Sequence, residues 1–290
     1  MCDFDGAEGV KMTDAVKILT LIDIIFLFFV AISGSIGGLV GDMVYYLFAF
    51  TLPIAIGFYS SIKLRYKREE IAGVAESPDG FLSLDSQRAV RLIPLIAPLV
   101  AVVFTVSLLT SILLSALGAP AQQVEDMGIL QMLLVYALVP AVFEEALFRY
   151  IPMKLLSPYS RRTCVFYSAL CFALIHCSFW QMPYAFVAGV LFMIVDIALG
   201  SVWPSLILHF VNNAASVLMM KYCDTATATA IFVAVLFALA LISSVFIYRS
   251  RKEYSDMLLS SLEKGESFEY TFAPFALVLM CGYVAAVNLF

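Results

Sequence analysis

Apolar stretches of about 20 residues recur along the whole chain, and no other feature of the sequence constrains the fold as strongly. A bilayer core about 30 Å thick needs roughly that many residues in a helix that rises ~1.5 Å per residue. The chain is 62% hydrophobic and 13% charged, which is more apolar surface than a soluble domain of 290 residues can bury. The sequence therefore predicts an all-α, polytopic membrane protein that forms a single integral membrane domain over 1–290.

Nine membrane spans are predicted, or eight if one of the short later segments is re-entrant. They cover 15–38, 41–61, 92–117, 128–152, 163–179, 182–200, 202–220, 228–248 and 272–290. With strict alternation, all Lys and Arg residues except Arg149 and Lys221 lie on one side, which the positive-inside rule assigns to the cytoplasm.

We expect a multi-pass protein of the cell membrane if the source is prokaryotic. No basic patch suits nucleic acid, so no such partner is expected.

Three ionisable side chains interrupt one predicted span in VFEEALFRY, at Glu144, Glu145 and Arg149. Each charge at the centre of a membrane helix costs about 2.5–3.5 kcal/mol on insertion scales. Two histidines, His176 and His209, also fall within predicted spans. Ionisable groups at this depth usually face one another or a polar cavity, and they mark functional sites. For each residue alone, a structural role in pinning helices together is the alternative.

The spacing of these residues within each helix indicates different roles for them. Glu145 and Arg149 are four residues apart with the acid first, which is the favourable order for an intrahelical ion pair. Glu144 points about 100° away from Glu145 and has no such partner in its own helix. It is therefore the candidate general base. His209 and Asn213 share a helix face at the same spacing, and their N–H groups can stabilise an oxyanion.

Two more residues are candidates at this point. Asn212 lies three residues after His209 and competes with Asn213 for the same role. Phe172 lies four residues before His176, where its ring can pack against the imidazole and orient it.

The depth of each group in the bilayer follows from the number of residues to the cytoplasmic end of its span. Glu144 and His209 both come out at roughly 10–12 Å. His176 comes out deeper, near ~20 Å, which predicts that its helix starts late, tilts or bends. We therefore predict an active site in an intramembrane cavity that opens toward the cytoplasmic half of the bilayer, with 128–220 as the catalytic core.

These segments resemble the three motifs of a known family. EEALFR at 144–149, FALIH at 172–176 and HFVNN at 209–213 are similar to the EExxxR, FxxxH and HxxxN motifs of the CPBP family, the CAAX proteases and bacteriocin-processing enzymes. The motifs occur in the expected order on separate helices. The resemblance implies an all-α intramembrane endopeptidase that acts on a membrane-associated or lipidated peptide.

The resemblance also implies a role for each matching residue. Glu144 and His176 would activate the attacking water, and His209 and Asn213 would stabilise the oxyanion. The supporting residues would be Glu145, Arg149 and Phe172.

The same residues leave the metal question open. Two histidines and one glutamate form a known catalytic zinc set, which here would be Glu144, His176 and His209. However, the sequence contains no HExxH, and the three ligands would come from three helices. We expect no cofactor and keep zinc as the alternative.

Three functional classes fit these features. The first is a peptidase that cuts a prenylated CAAX peptide, a bacteriocin or a membrane regulator, with the lipid bilayer and a peptide or protein as its partners. The second is a protease-like immunity or regulatory protein. The third is a transporter or proton relay, which would more often show repeats with helices broken by Gly or Pro in corresponding halves. The sequence leaves open the identity of the substrate and the oligomeric state.

Overall fold

A computed structural model describes residues 12–36, 41, 44–72, 82–83, 85–118, 127–156, 160–176, 178 and 180–262. Within these ranges the chain folds into nine helices and contains no strand. The first three are α1 (Met12–Ile36), α2 (a π-helical turn at Tyr45–Phe50 followed by Thr51–Ala72) and α3 (Ser86–Ala116). The others are α4 (Ile129–Leu156), α5 (Arg161–Leu174), α6 (Met182–Leu199), α7 (Trp203–Tyr222), α8 (Ala226–Arg249) and α9 (Arg251–Leu262).

Six of these helices are long and apolar enough to cross a membrane, which confirms the predicted fold class. They are α1, α2, α3, α4, α6 and α8. The predicted spans 163–179 and 202–220 correspond to α5 and α7, which are not among the six. Helix α5 has only 14 residues, and the polar side chains of α7 lower its hydropathy. The predicted span 272–290 lies outside the described residues.

Helix α4 alternates between α-helical and wider π-helical turns. The π turns are Leu133–Leu138 and Ala146–Tyr150, and the α-helical segment Val139–Glu145 lies between them. Pro140 has no N–H to bond the carbonyl one turn earlier, which favours the wide turn that precedes it. The second π turn starts directly after the two glutamates. Such turns within α-helices are frequent at functional sites.

Helix α5 is held between α4 and α6. The Ser168 hydroxyl donates a hydrogen bond to the Phe148 carbonyl of α4. On the other side, Gly189 of α6 lies so close to α5 that an added Cβ would stand 2.6 Å from the Ala169 Cα. The helix that carries Phe172 and leads into His176 is thus fixed against the helix that carries the glutamates.

A second polar contact in the membrane region joins α1 to α5. The Tyr167 hydroxyl donates to the Asp23 Oδ2 at 2.6 Å, and both side chains are buried. This hydrogen bond holds α1 against α5.

Candidate active site

His209 of α7 lies between the two glutamates of α4. Its Nδ1 is 2.7 Å from Glu145 Oε1, and its Nε2 is 3.8 Å from Glu144 Oε2. The first distance is a hydrogen bond, whereas the second is too long for one. Glu145 is fully buried, while the Glu144 side chain keeps 13% of its surface exposed. The similar depth predicted for Glu144 and His209 therefore agrees with their position across the helix interface.

Glu145 joins two cationic or cation-forming side chains. One carboxylate oxygen accepts from His209, and the other lies 3.4 Å from the Arg149 Nε. Glu145 and Arg149 are both fully buried, and the predicted intrahelical pair is present. The hydrogen bond to His209 was not predicted, because the two residues are 64 positions apart and belong to different helices.

The Phe172 ring of α5 packs against Arg149, His176 and His209. The Arg149 guanidinium carbon lies 4.1 Å from the ring centroid, which is a cation–π arrangement. The imidazoles of His176 and His209 approach the same ring edge-on at 5.0 and 5.4 Å. The predicted packing of Phe172 against His176 is present, and the same ring also contacts Arg149 and His209.

His176 lies just beyond the end of α5. The prediction that this helix continues to residue 179 is wrong, since it ends at Leu174 and a turn follows. The His176 Nδ1 is 2.7 Å from the Phe172 carbonyl oxygen, one of the carbonyls left unpaired at a helix end. A carbonyl only accepts, so Nδ1 carries the hydrogen and the Nε2 of the neutral ring has a lone pair for a proton.

The two asparagines after His209 are linked to each other. Asn212 is buried, and its Nδ2 donates to the Asn213 Oδ1 at 3.3 Å. This bond occupies the amide oxygen of Asn213 and leaves its NH₂ group to donate to a substrate. Of the two candidates kept open by spacing, Asn212 is thus the donor and Asn213 the acceptor of the hydrogen bond that joins them.

Ser205 was missed by the sequence analysis. It lies one helical turn before His209 and is fully buried, and its hydroxyl donates to the Val202 carbonyl at 2.9 Å. A single serine in an apolar helix belongs to no motif that would mark it as a functional residue. Only the spacing of four residues to His209, on the same face of α7, marks it in the sequence.

The arrangement does not form a metal site among the residues that the structure describes. No group of three His, Cys, Asp or Glu side chains is close enough together there to hold a metal ion. The Nδ1 atoms of His176 and His209 are both engaged in hydrogen bonds. Zinc ligation would therefore use their Nε2 atoms together with Glu144.

The fold and the site together define a helical membrane protein with a buried carboxylate–imidazole centre. Residues 126–215 match the family model described as "Type II CAAX prenyl endopeptidase Rce1-like". The matched segment holds all three motifs, so the resemblance based on them is confirmed over these residues. Searches of curated proteins and of solved structures found no match.

Proposed function

We propose that the protein is an intramembrane endopeptidase that hydrolyses a membrane-associated or lipidated peptide with a water activated by Glu144 and His176. The observation that carries this proposal is the position of His209, hydrogen-bonded to Glu145 through Nδ1 and turned toward Glu144 through Nε2. In the proposed mechanism Glu144 is the general base and His209 the oxyanion donor, and their facing atoms are 3.8 Å apart. The family match supports the reaction class.

In the proposed reaction, Glu144 removes a proton from water while the His176 Nε2 accepts a hydrogen bond from the same molecule. The resulting hydroxide attacks the carbonyl carbon of the scissile bond, and the carbonyl oxygen becomes an oxyanion. The proton held by Glu144 then passes to the nitrogen of the leaving amine as the C–N bond breaks. The products are a carboxylic acid and an amine, the acid passes its proton to the amine to give a carboxylate and an ammonium ion, and the carboxyl group of Glu144 is ionised again.

The oxyanion is stabilised by His209 and Asn213. While it forms, His209 carries hydrogens on both ring nitrogens, so that Nδ1 donates to Glu145 and Nε2 to the oxyanion. The Asn213 NH₂ group adds a second donor. Such donors are already in place before the reaction, which is why each contributes strongly in a site sheltered from water.

The position of the centre constrains the substrate. Glu144 lies on α4, which is apolar enough to cross a membrane, and this position supports a scissile bond that arrives from the membrane rather than from bulk water. We propose entry from the cytoplasmic half of the bilayer, on the side where the basic residues concentrate. A peptide anchored by a lipid or by its own apolar segment meets this requirement.

This substrate class is tested with purified protein in liposomes. A farnesylated CAAX peptide, the same peptide without the lipid and a membrane-segment peptide are supplied in parallel, and the products are identified by mass spectrometry. We expect cleavage of at least one membrane-anchored peptide and little cleavage of the unanchored one. If the folded protein cuts the unanchored peptide fastest, membrane presentation is not required and the substrate class is wrong.

Replacing Asn213 by alanine should lower kcat about 10²-fold with little change in KM, because an oxyanion donor acts mainly in the transition state. The measurement is the initial cleavage rate over a range of peptide concentrations. Gln131→Ala, which removes an exposed amide from α4, is the control and should keep wild-type kinetics. A rise in KM at unchanged kcat would instead make Asn213 a substrate-binding residue.

Chelation tests the metal-free mechanism directly. We expect 1,10-phenanthroline and EDTA to leave the cleavage rate unchanged, and the purified protein to contain far less than one zinc per chain by elemental analysis. The converse result, stoichiometric zinc together with activity that is lost on chelation and restored by zinc, would favour ligation by Glu144, His176 and His209.

A further inference from the structure

Asp196 of α6 is a fully buried carboxylate that the proposed reaction does not use. Its Oδ1 accepts a hydrogen bond from the backbone N–H of Ser205 at 2.8 Å. Its Oδ2 has no hydrogen-bond partner among the described residues. A buried carboxylate is costly in a membrane segment, so its presence needs a reason.

The hydrogen bond acts on the first turn of α7. Ser205 is the third residue of that helix, and its N–H is one of the four that a helix start leaves unpaired. The backbone of Asp196 also takes part, because its carbonyl accepts from Gly200 and, at 3.0 Å, from Ser201. Gly200 has φ +62°, a left-handed conformation that glycine adopts without a Cβ penalty. Asp196 thus holds both ends of the turn between α6 and α7.

The anchored turn lies directly behind the catalytic cluster. Ser205 and His209 are four residues apart on one face of α7, and both are buried. A shift of α7 at Ser205 would therefore move the His209 ring relative to Glu145.

We propose that Asp196 is a positioning residue for His209: by accepting the Ser205 N–H it fixes the rotation and height of α7, so that Nδ1 meets Glu145 and Nε2 faces Glu144. The role belongs to the acceptor oxygen rather than to the negative charge. It rests on the proposed function for its effect on catalysis, whereas its effect on the His209 ring is independent of any reaction.

The first test compares two substitutions of Asp196. Asp196→Asn keeps a carbonyl oxygen in place of Oδ1, whereas Asp196→Ala has none. We expect Asp196→Ala to lower kcat about 10- to 100-fold at nearly constant KM, as a displacement of about 1 Å does, and Asp196→Asn to stay within about threefold of wild type. Rates are expressed per folded protein, measured by size-exclusion chromatography and thermal unfolding. Equal losses in both variants would overturn the acceptor role.

The control is Asp23→Ala, which removes another buried carboxylate of the membrane region. It breaks the bond to Tyr167 and should lower thermal stability without lowering kcat per folded protein. If Asp23→Ala reduces kcat as much as Asp196→Ala does, the loss follows from general destabilisation, and the proposal is wrong.

The second test needs no substrate. The chain has only 2 histidines, so ¹⁵N-histidine NMR in detergent resolves His176 and His209 individually. Asp196→Ala should shift the His209 Nδ1 signal and leave that of His176 in place, while Asp196→Asn should retain both. Unchanged spectra in Asp196→Ala would overturn the proposal even with an active enzyme. Shifted spectra in a protein that cuts no peptide would support the positioning and contradict only the proposed function.

Discussion

We expect Glu144→Gln to lower kcat/KM about 10⁴-fold, the upper end of what a general base contributes, while the protein inserts and folds like wild type. Glutamine preserves the shape of the side chain but cannot take a proton from water. Glu144 also makes no hydrogen bond to another side chain among those found in the described residues, and its Oε2 lies 3.8 Å from the His209 Nε2, too far for one. Its loss should therefore leave the packing intact.

The measurement combines peptide cleavage with thermal unfolding in the same detergent. Asp23→Asn serves as the matched control, because it neutralises an acidic residue in the membrane region that contacts Tyr167 instead of the site. It should retain wild-type kcat/KM. Normal turnover by a folded Glu144→Gln protein would contradict the proposed mechanism.

The fold class followed from the sequence because a bilayer demands long apolar helices, and their lengths can be counted directly. The intrahelical pairs also followed, since a spacing of four residues places Glu145 with Arg149 and Phe172 with His176 on one face. The Glu145–His209 hydrogen bond could not be predicted from the sequence. It depends on the packing of α4 against α7, and helical periodicity contains no information about which helices are neighbours.

The backbone departures from a regular α-helix were also beyond the sequence analysis. At the early end of α5, the His176 ring bonds the Phe172 carbonyl, which the His176 backbone N–H would bond in a continuing helix, and that N–H donates to the Ala173 carbonyl instead. The π turn at Ala146–Tyr150 is likewise invisible to a pattern that assumes ~3.6 residues per turn. Both departures occur at catalytic motifs, where local structure serves the site rather than helix propensity.

The other large effect is expected from Glu145→Leu, and here it is on stability. The substitution leaves the Arg149 guanidinium fully buried and without its carboxylate, and breaking a buried ion pair from one side costs about 3–5 kcal/mol. The cation–π contact with Phe172 remains but compensates only partly, by ~1–2 kcal/mol. Glu145→Leu should thus unfold at a much lower temperature than Glu144→Gln.

The double variant Glu145→Leu/Arg149→Met separates stability from activity. Replacing both partners by apolar residues of similar size removes the unpaired charge, and such exchanges are often neutral or stabilising, so most of the thermal stability should return. Cleavage should not return, because the His209 Nδ1 has lost the acceptor that orients the ring. If stability and cleavage recover together, Glu145 acts only as the counterion of Arg149. If stability recovers alone, the Glu145 carboxylate has two separable roles. It stabilises the fold by pairing with Arg149, and it supports the reaction by orienting the His209 ring.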